Sequence, residues 1–401
     1  MGNTFIQIHT LTGYSSVLLN RDDSGMAKRI EYGAGVRTRT SSQFAKRKMR
    51  TSTSASSLLE VGALGVRSKL LFRKPIAEAL ISEGLNAEQV VPVTLAVMDL
   101  LYAPSEKAKA NRKKAKEAEE NGEEDAPKDP LAVLERDELL IFGAAEIEFI
   151  KDIIRAIIAS ANETERTDFT KVADEYFKAN KTKKTLRHMP NASLDIAAFG
   201  RMVTGDALST VDAAVHVAHA ISVHAQQSEV DFFTAVDDLK NRSEGDDAGG
   251  GHLGETEINS PLLYGYYVVD FDLLKSNLSG VDNPEEVSAK VVSRILNLAA
   301  TSIVGAKKGS TAPYSTADFI MVEITDDAPR SLAEAFREPA RPTVDAAVKK
   351  LTDYVAGKER IYGAPTGQRF VMSIVEANVA DAEQTNLAQA TAKIEEILTT
   401  G

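Results

Sequence analysis

Apolar residues in this chain change period twice, and that change restricts the architecture more than any single motif. The opening stretch TFIQIHTL is rich in β-branched and aromatic residues and reads as a strand. From Pro75 to about His188, apolar positions recur every three to four residues in PIAEALISEGLNAEQVVPVTLAVMDLLYA and in DPLAVLERDELLIFGAAEIEFIKDIIRAIIASAN, which predicts helices. After residue 261 the order becomes strand (LLYGYYVVDFDLL), helix (NPEEVSAKVVSRILNLAATSIV), strand (ADFIMVEITDD), helix (TVDAAVKKLTDYVA), strand (RFVMSIVEA) and a polar terminal helix. Asn283 as N-cap and Pro284 in the first turn mark where the first of these helices begins. Another strand stands at residue 5, ahead of the helical region. The expected fold is therefore a two-layer α+β domain split by a large helical insertion. No internal repeat is evident.

Composition divides the chain further. Residues 104–130 hold PSEKAKANRKKAKEAEENGEEDAPKDP, almost purely charged, small or proline; this stretch cannot fill a core and is expected to be an exposed insertion. The region 191–261 ends in NRSEGDDAGGGHLG, whose glycines and acids predict a projecting loop over 240–251. The resulting segments are 1–75, 76–190, 191–261, 262–378 and a C-terminal helix in 379–401.

Charge is strongly segregated. From Tyr32 to Lys74 there are ten Lys or Arg and one acid, Glu60, a local charge of +9 that leaves −20 on the rest of a chain whose total is −11. The chain has no cysteine, which excludes disulfides, thiolate nucleophiles, thiolate zinc sites and iron–sulfur clusters. The first residues, MGNTFIQIHT, lack a basic start before an apolar run, and no apolar stretch approaches the roughly eighteen residues of a membrane span. A soluble, cytoplasmic protein is expected, with no membrane partner and no cofactor.

The core of the basic segment, RTRTSSQFAKRKMRTS, spans residues 37–52 with six cations and no carboxylate. Ser41 or Ser42 is a good N-cap for a helix through SSQFAKRKMR. At about 100° per residue, Gln43, Lys46, Arg47 and Arg50 fall within one arc of about 100°, while Ala45 and Met49 point away. Such a helix docks through one side and presents cations on the other. Hydroxyl, amide and cation at this spacing suit a phosphodiester backbone, which positions a ligand without reading its bases. A basic arm, or a face neutralised by the acidic remainder of the protein, is the alternative. VGAKKGST, residues 304–311, places Lys307 and Lys308 between glycines in a loop that can approach phosphate, although it is not a Walker sequence. Met202, Phe232, Phe233 and Leu253 are apolar residues of the projecting region that either stack on bases or fill a core.

Candidates for catalysis are few. In VDAAVHVAHA, Asp212, His216 and His219 share one face if the segment is helical, and they are the best metal-ligand candidates. No HExxH or G-x-S-x-G accompanies them. Asp237 and Asp238 are adjacent, so their side chains diverge.

FIQIHTLTGYSSVLLNRDDSGMAKRIEYGAGVRTRTSSQFAKRKMRTS, followed by FGRM, VDAAVHVAHAISVHAQQSEVDFFTAVDDL, HLGE and GAKKGS in that order, resembles the CasC family. These are the backbone subunits of the type I-E CRISPR surveillance complex Cascade, within the repeat-associated mysterious protein superfamily. The resemblance implies an RNA-recognition-motif-like (ferredoxin-like) palm, a helical fingers domain and a projecting thumb. It implies a non-catalytic protein that stacks head to tail with further copies of itself along one CRISPR RNA and presents that guide to target DNA. Other Cascade subunits would be the large subunit, the small subunit and the guide-end-capping and guide-processing subunits, with a helicase-nuclease recruited for cleavage. Matched position by position, the implied RNA-binding residues are Arg21, Lys28, Ser41, Gln43, Lys46, Arg50, Lys307 and Lys308, with Met202, Phe233 and Leu253 where a guide base is flipped out. A metal-dependent ribonuclease of the same superfamily is the alternative. The long loop 240–251 and the insertion 104–130 depart from the family pattern.

Overall fold

Strand β1 (Phe5–Gly13) alternates Ile6 and Ile8 with Gln7, His9 and Leu11, and all of them are buried. A strand covered on both faces must sit in the interior of a sheet. The computed structural model describes residues 3–102, 104, 129–161, 168–182, 193–202, 210–235, 252–301 and 305–400, without the side chains of Ala235, His252 and Leu253. The charged insertion 104–130, apart from Pro104, Asp129 and Pro130, and the loop 240–251 lie outside the described residues, as do Asp237 and Asp238.

The remaining strands are β2 (Arg29–Glu31), β3 (Val36–Thr40), β4 (Val66–Ser68), β5 (Leu140–Phe142), β6 (Val215–Val217), β7 (Ala220–Ser222), β8 (Ser228–Ala235), β9 (His252–Asn259), β10 (Leu262–Asp270), β11 (Phe319–Thr325), β12 (Gln368–Ser373) and β13 (Ala382–Gln384). Nine of the strands form one mixed sheet in the order β13-β12-β11-β1-β10-β7-β3-β2, with β6 also on β10. β1 is antiparallel to β10 (Ile8↔Tyr267) and to β11 (Ile8↔Val322). The helix Pro284–Thr301 therefore connects two strands that flank β1, a split β–α–β arrangement. The expected α+β class holds.

Contacts divide the chain into two units. The first comprises residues 1–61, 215–273 and 285–401 and contains the nine-stranded sheet. Its core joins Leu11, Phe319, Met321 and Val371 of the sheet to Val348, Leu351 and Val355 of the helix Val344–Tyr362. The second comprises residues 62–214 and 274–284. Its core forms among Leu71, Phe72 and the helices Ala87–Leu101, Ala144–Ser160 and Phe169–Asn180. Among the described residues, no helix is long and apolar enough to cross a membrane.

Expectations of local structure fail at several points. The strand expected over LLYGYYVVDFDLL ends at Asp270, and Phe271–Asn277 is helical. The run from Asp129 to Asn162 is not one helix: a 3-10 turn at Pro130–Leu134 and strand β5 precede Ala144–Ser160. Gly143 ends the strand, and its N–H donates to Glu146 Oε2 at 2.8 Å, so the chain starts a fresh helix there. Asn283 has φ 52°, in the left-handed region rather than the extended conformation of an N-cap, although the helix does begin at Pro284.

Candidate nucleic-acid interface

The basic helix forms where its caps and apolar side require it. Helix α1 (Ser42–Arg50) begins after Ser41, which is extended at φ −78°, ψ 152° and whose hydroxyl accepts from the Phe44 N–H. The Ser41 N–H donates to Asn20 Oδ1 at 3.0 Å, which ties the helix start to the LNRDD loop. Ala45 and Met49 are buried, Gln43 and Arg47 are exposed, and Lys46, Lys48 and Arg50 are half-buried. The last turn carries Arg47, Lys48 and Arg50, where the helix dipole favours cations.

The surrounding framework comes from three distant segments of the same unit. Asp22 Oδ1 accepts from the N–H groups of Ser24 and Met26, closing the turn between Arg21 and Lys28. The Lys28 N–H donates to Asn20 O, and its own carbonyl accepts from Arg39 N. Glu257, 3% exposed on β9, accepts from Ala27 N at 2.6 Å, from Arg29 at 2.8 Å and from Gln226 at 3.2 Å. One carboxylate thereby fixes the LNRDD loop to the β8–β9 hairpin. Gly305 admits the glycine loop to the same place: a Cβ there would lie 2.8 Å from Leu19 Cα, and the Ala306 N–H donates to Leu18 O.

The lysines of that loop part company. Lys307, at φ 54°, donates to Thr256 Oγ1 and stands 5.8 Å from the Phe233 ring centroid. Lys308 lies near enough to α1 to act on Lys48. Burial pulls the Lys48 ammonium below the usual lysine value, and Lys308 and Arg47 lower it further; burial also lowers Lys46. Likewise burial, then Arg39 and Lys28, hold His219 below the usual histidine range, with Arg39 Nη1 3.2 Å from His219 Nδ1.

Of the residues singled out in the sequence, Arg21, Lys28, Ser41, Gln43, Lys46, Arg50, Phe233, Lys307 and Lys308 all belong to this unit. Ser41 is 7% exposed and its hydroxyl serves the cap. Phe233 of β8 pairs with Gly254 of β9, packs over that glycine and is 43% exposed. Leu253 pairs with Thr234 along the backbone, and its side chain lies outside the described residues. Met202 belongs to the second unit and is 91% exposed. Sequence reasoning passed over Lys48, which lies off the counted arc yet over the Phe44 ring at 5.3 Å and toward Lys308. Arg37, one of the six cations counted in the segment 37–52, is fully buried and donates to the carbonyls of Ser222, Phe336 and Arg337.

The proposed helical face of Asp212, His216 and His219 does not exist. Val215–Val217 and Ala220–Ser222 are strands, with His216 opposite Val268 on β10. Pairing with the edge of β10 overrides the helical spacing. Among the described residues, no group of three or more His, Asp or Glu is placed to hold a metal.

Residues 6–400 match the family described as CT1975-like protein, Cas_CT1975. The chain belongs to the CT1975-like family. No curated protein matches it by sequence. Among solved structures, this CT1975-like protein is similar to a chain of a "CRISPR RNA-guided surveillance complex, pre-nicking", with TM-score 0.74 and 22% identity over 98% of this chain and 99% of that one. A chain of a second "CRISPR RNA-guided surveillance complex" matches with TM-score 0.56 and 19% identity over the same shares. At these identities the likeness is one of fold.

Proposed function

We propose that this CT1975-like protein is a CasC-type backbone subunit of a type I-E Cascade complex, binding CRISPR RNA through its phosphates without catalysing a reaction. The observation that carries the reading is the crowding of like charge. Lys28, Arg39, Arg47 with Lys48, and Lys308 come from separate segments; beyond the larger effect of burial, Lys308 and Arg47 depress the proton affinity of Lys48, and Arg39 and Lys28 that of His219. Such crowding gains nothing for the fold; a polyanion relieves it. Support for the CRISPR context comes from the family and from the fold of the surveillance-complex chains.

In this reading the split β–α–β sheet is the RNA-recognition-motif-like palm, the second unit contains the fingers, and the β8–β9 hairpin is the base of the thumb. Copies stack head to tail along the guide in the cytoplasm, target DNA pairs with the guide, and a helicase-nuclease recruited by the whole complex cuts. Sequence is read by pairing, so the protein needs only backbone contacts.

The test begins with purified protein. A 260/280 nm absorbance ratio typical of a ribonucleoprotein, with bound RNA of uniform length, is expected. Lys46→Ala with Arg50→Ala should weaken binding of unrelated RNA sequences equally and reduce the salt slope by about one for each phosphate that is no longer neutralised. Sequence-selective weakening would contradict backbone binding, and RNA cleavage abolished by a chelator would replace the scaffold with a metal-dependent ribonuclease.

A further inference from the structure

Away from the guide interface, the loop after β11, the end of the helix Val344–Tyr362 and the turn that follows enclose a cavity of about 610 Å³. Its walls include Gln7, Asp327, Arg330, Lys358, Tyr362 and Thr366. The volume lies within the roughly 300–1,000 Å³ typical of small-molecule sites. The turn is preset: Gly367 has φ 103°, and a Cβ there would lie 2.0 Å from Ile324 O.

The polar groups on these walls are held in place but incompletely engaged. Arg330 reaches Glu323 at 3.4 Å and Glu359 at 3.9 Å, carboxylates that Arg369 already holds at 2.7 and 2.6 Å. Arg330 Nε is buried without a hydrogen-bond partner among the described residues. Lys358 Nζ lies 5.4 Å from the Tyr354 ring centroid and 5.3 Å from that of Tyr362, a residue 73% exposed. Gln7 Oε1 accepts from the Tyr266 hydroxyl and the Arg330 N–H, both at 2.7 Å, so its carboxamide offers donors. Asp327 Oδ2 accepts from the N–H and hydroxyl of Thr366 at 2.8 and 3.1 Å, which fixes an ionised acceptor on the same wall.

Two cations, an accessible aromatic ring, an amide donor and an oriented carboxylate make a mixed set. A bare anion would use the cations, leave the ring idle and meet repulsion from Asp327. A molecule that joins phosphate to a planar base and hydroxyl or amino donors would use them all. We propose that this cavity binds a mononucleotide, its phosphate at Arg330 and Lys358, its base against Tyr362 and a hydroxyl or exocyclic amine at Asp327.

Equilibrium dialysis of the full chain against labelled AMP tests this. Saturable binding of one AMP per chain is expected, weakened at least about tenfold by Lys358→Ala and severalfold by Tyr362→Ala. Tyr362 is exposed and Lys358 half-buried, and circular dichroism checks that the variants fold. The α1 double variant Lys46→Ala/Arg50→Ala should retain AMP, which separates this site from the guide interface. Inorganic phosphate should compete poorly. Absence of saturable AMP binding, equal competition by inorganic phosphate, or loss of AMP binding in the α1 variant with retention in Lys358→Ala would overturn the proposal.

Discussion

Arg201 and Arg369 sit against carboxylates in the interior, whereas Lys48 of α1 sits in the field of Lys308 and Arg47. Arg201 Nη1 meets Glu146 at 2.7 and 2.9 Å and also donates to Ile141 O, with both side chains nearly sealed from solvent. Arg369 bridges Glu323 and Glu359. On α1 the segment 37–52 supplies no carboxylate at all. Paired interior cations hold elements together and project little field, while crowded surface cations weaken the isolated protein slightly and favour a polyanion. The same residue types thus serve fold or ligand according to what lies opposite them.

The largest effect should come from breaking an interior pair. Glu146→Ala leaves the Arg201 guanidinium buried without its carboxylate and should destabilise the second unit by roughly 3–5 kcal/mol in denaturant titrations, at low and high salt alike. A loss below about 1 kcal/mol would mean that the interior cations are no more structural than those of α1.

Glu323 tests the pair in the sheet unit. Burial alone would raise its carboxyl, but His9 and Arg369 outweigh it and hold the pKa at about 2, against an ordinary 4.5. Because the folded value is depressed, the stabilisation is fully present above about pH 4.5 and is lost as pH falls toward 2. It amounts to on the order of 3 kcal/mol at neutral pH. Glu323→Gln should remove much of this stability and flatten the pH dependence between those limits. An unchanged acid limb would show that other carboxylates govern it.

Much of this was legible in the sequence where local signals and tertiary demands agree. β1, the strands after residue 261 and α1 with its Ser41 cap follow from period and capping. The spacing of Asp212, His216 and His219 misled because a strand against β10 satisfies VHV better than a helix, and period alone does not reveal a waiting sheet edge. Arg37 misled for a related reason: a sequence does not show that three backbone carbonyls converge on a guanidinium. Lys48 was missed because the wheel counts one helix and not the loop that brings Lys308 beside it.

The smallest effect separates cap from ligand-facing residue. Ser41 lies within the basic segment, yet its hydroxyl accepts from the Phe44 N–H and its N–H donates to Asn20, so it shapes α1 from within the fold. Ser41→Ala should lower stability by about 1 kcal/mol, the usual effect of removing an N-cap. It removes no charge, so RNA affinity should fall only modestly and the salt slope should stay as in the parent. Lys46→Ala should do the reverse, leaving stability within about 0.5 kcal/mol and lowering the slope. If Ser41→Ala instead leaves stability untouched and weakens RNA binding as strongly as Lys46→Ala does, the hydroxyl acts as a phosphate donor. The line drawn between residues that build α1 and residues that face the ligand would then have to move inward.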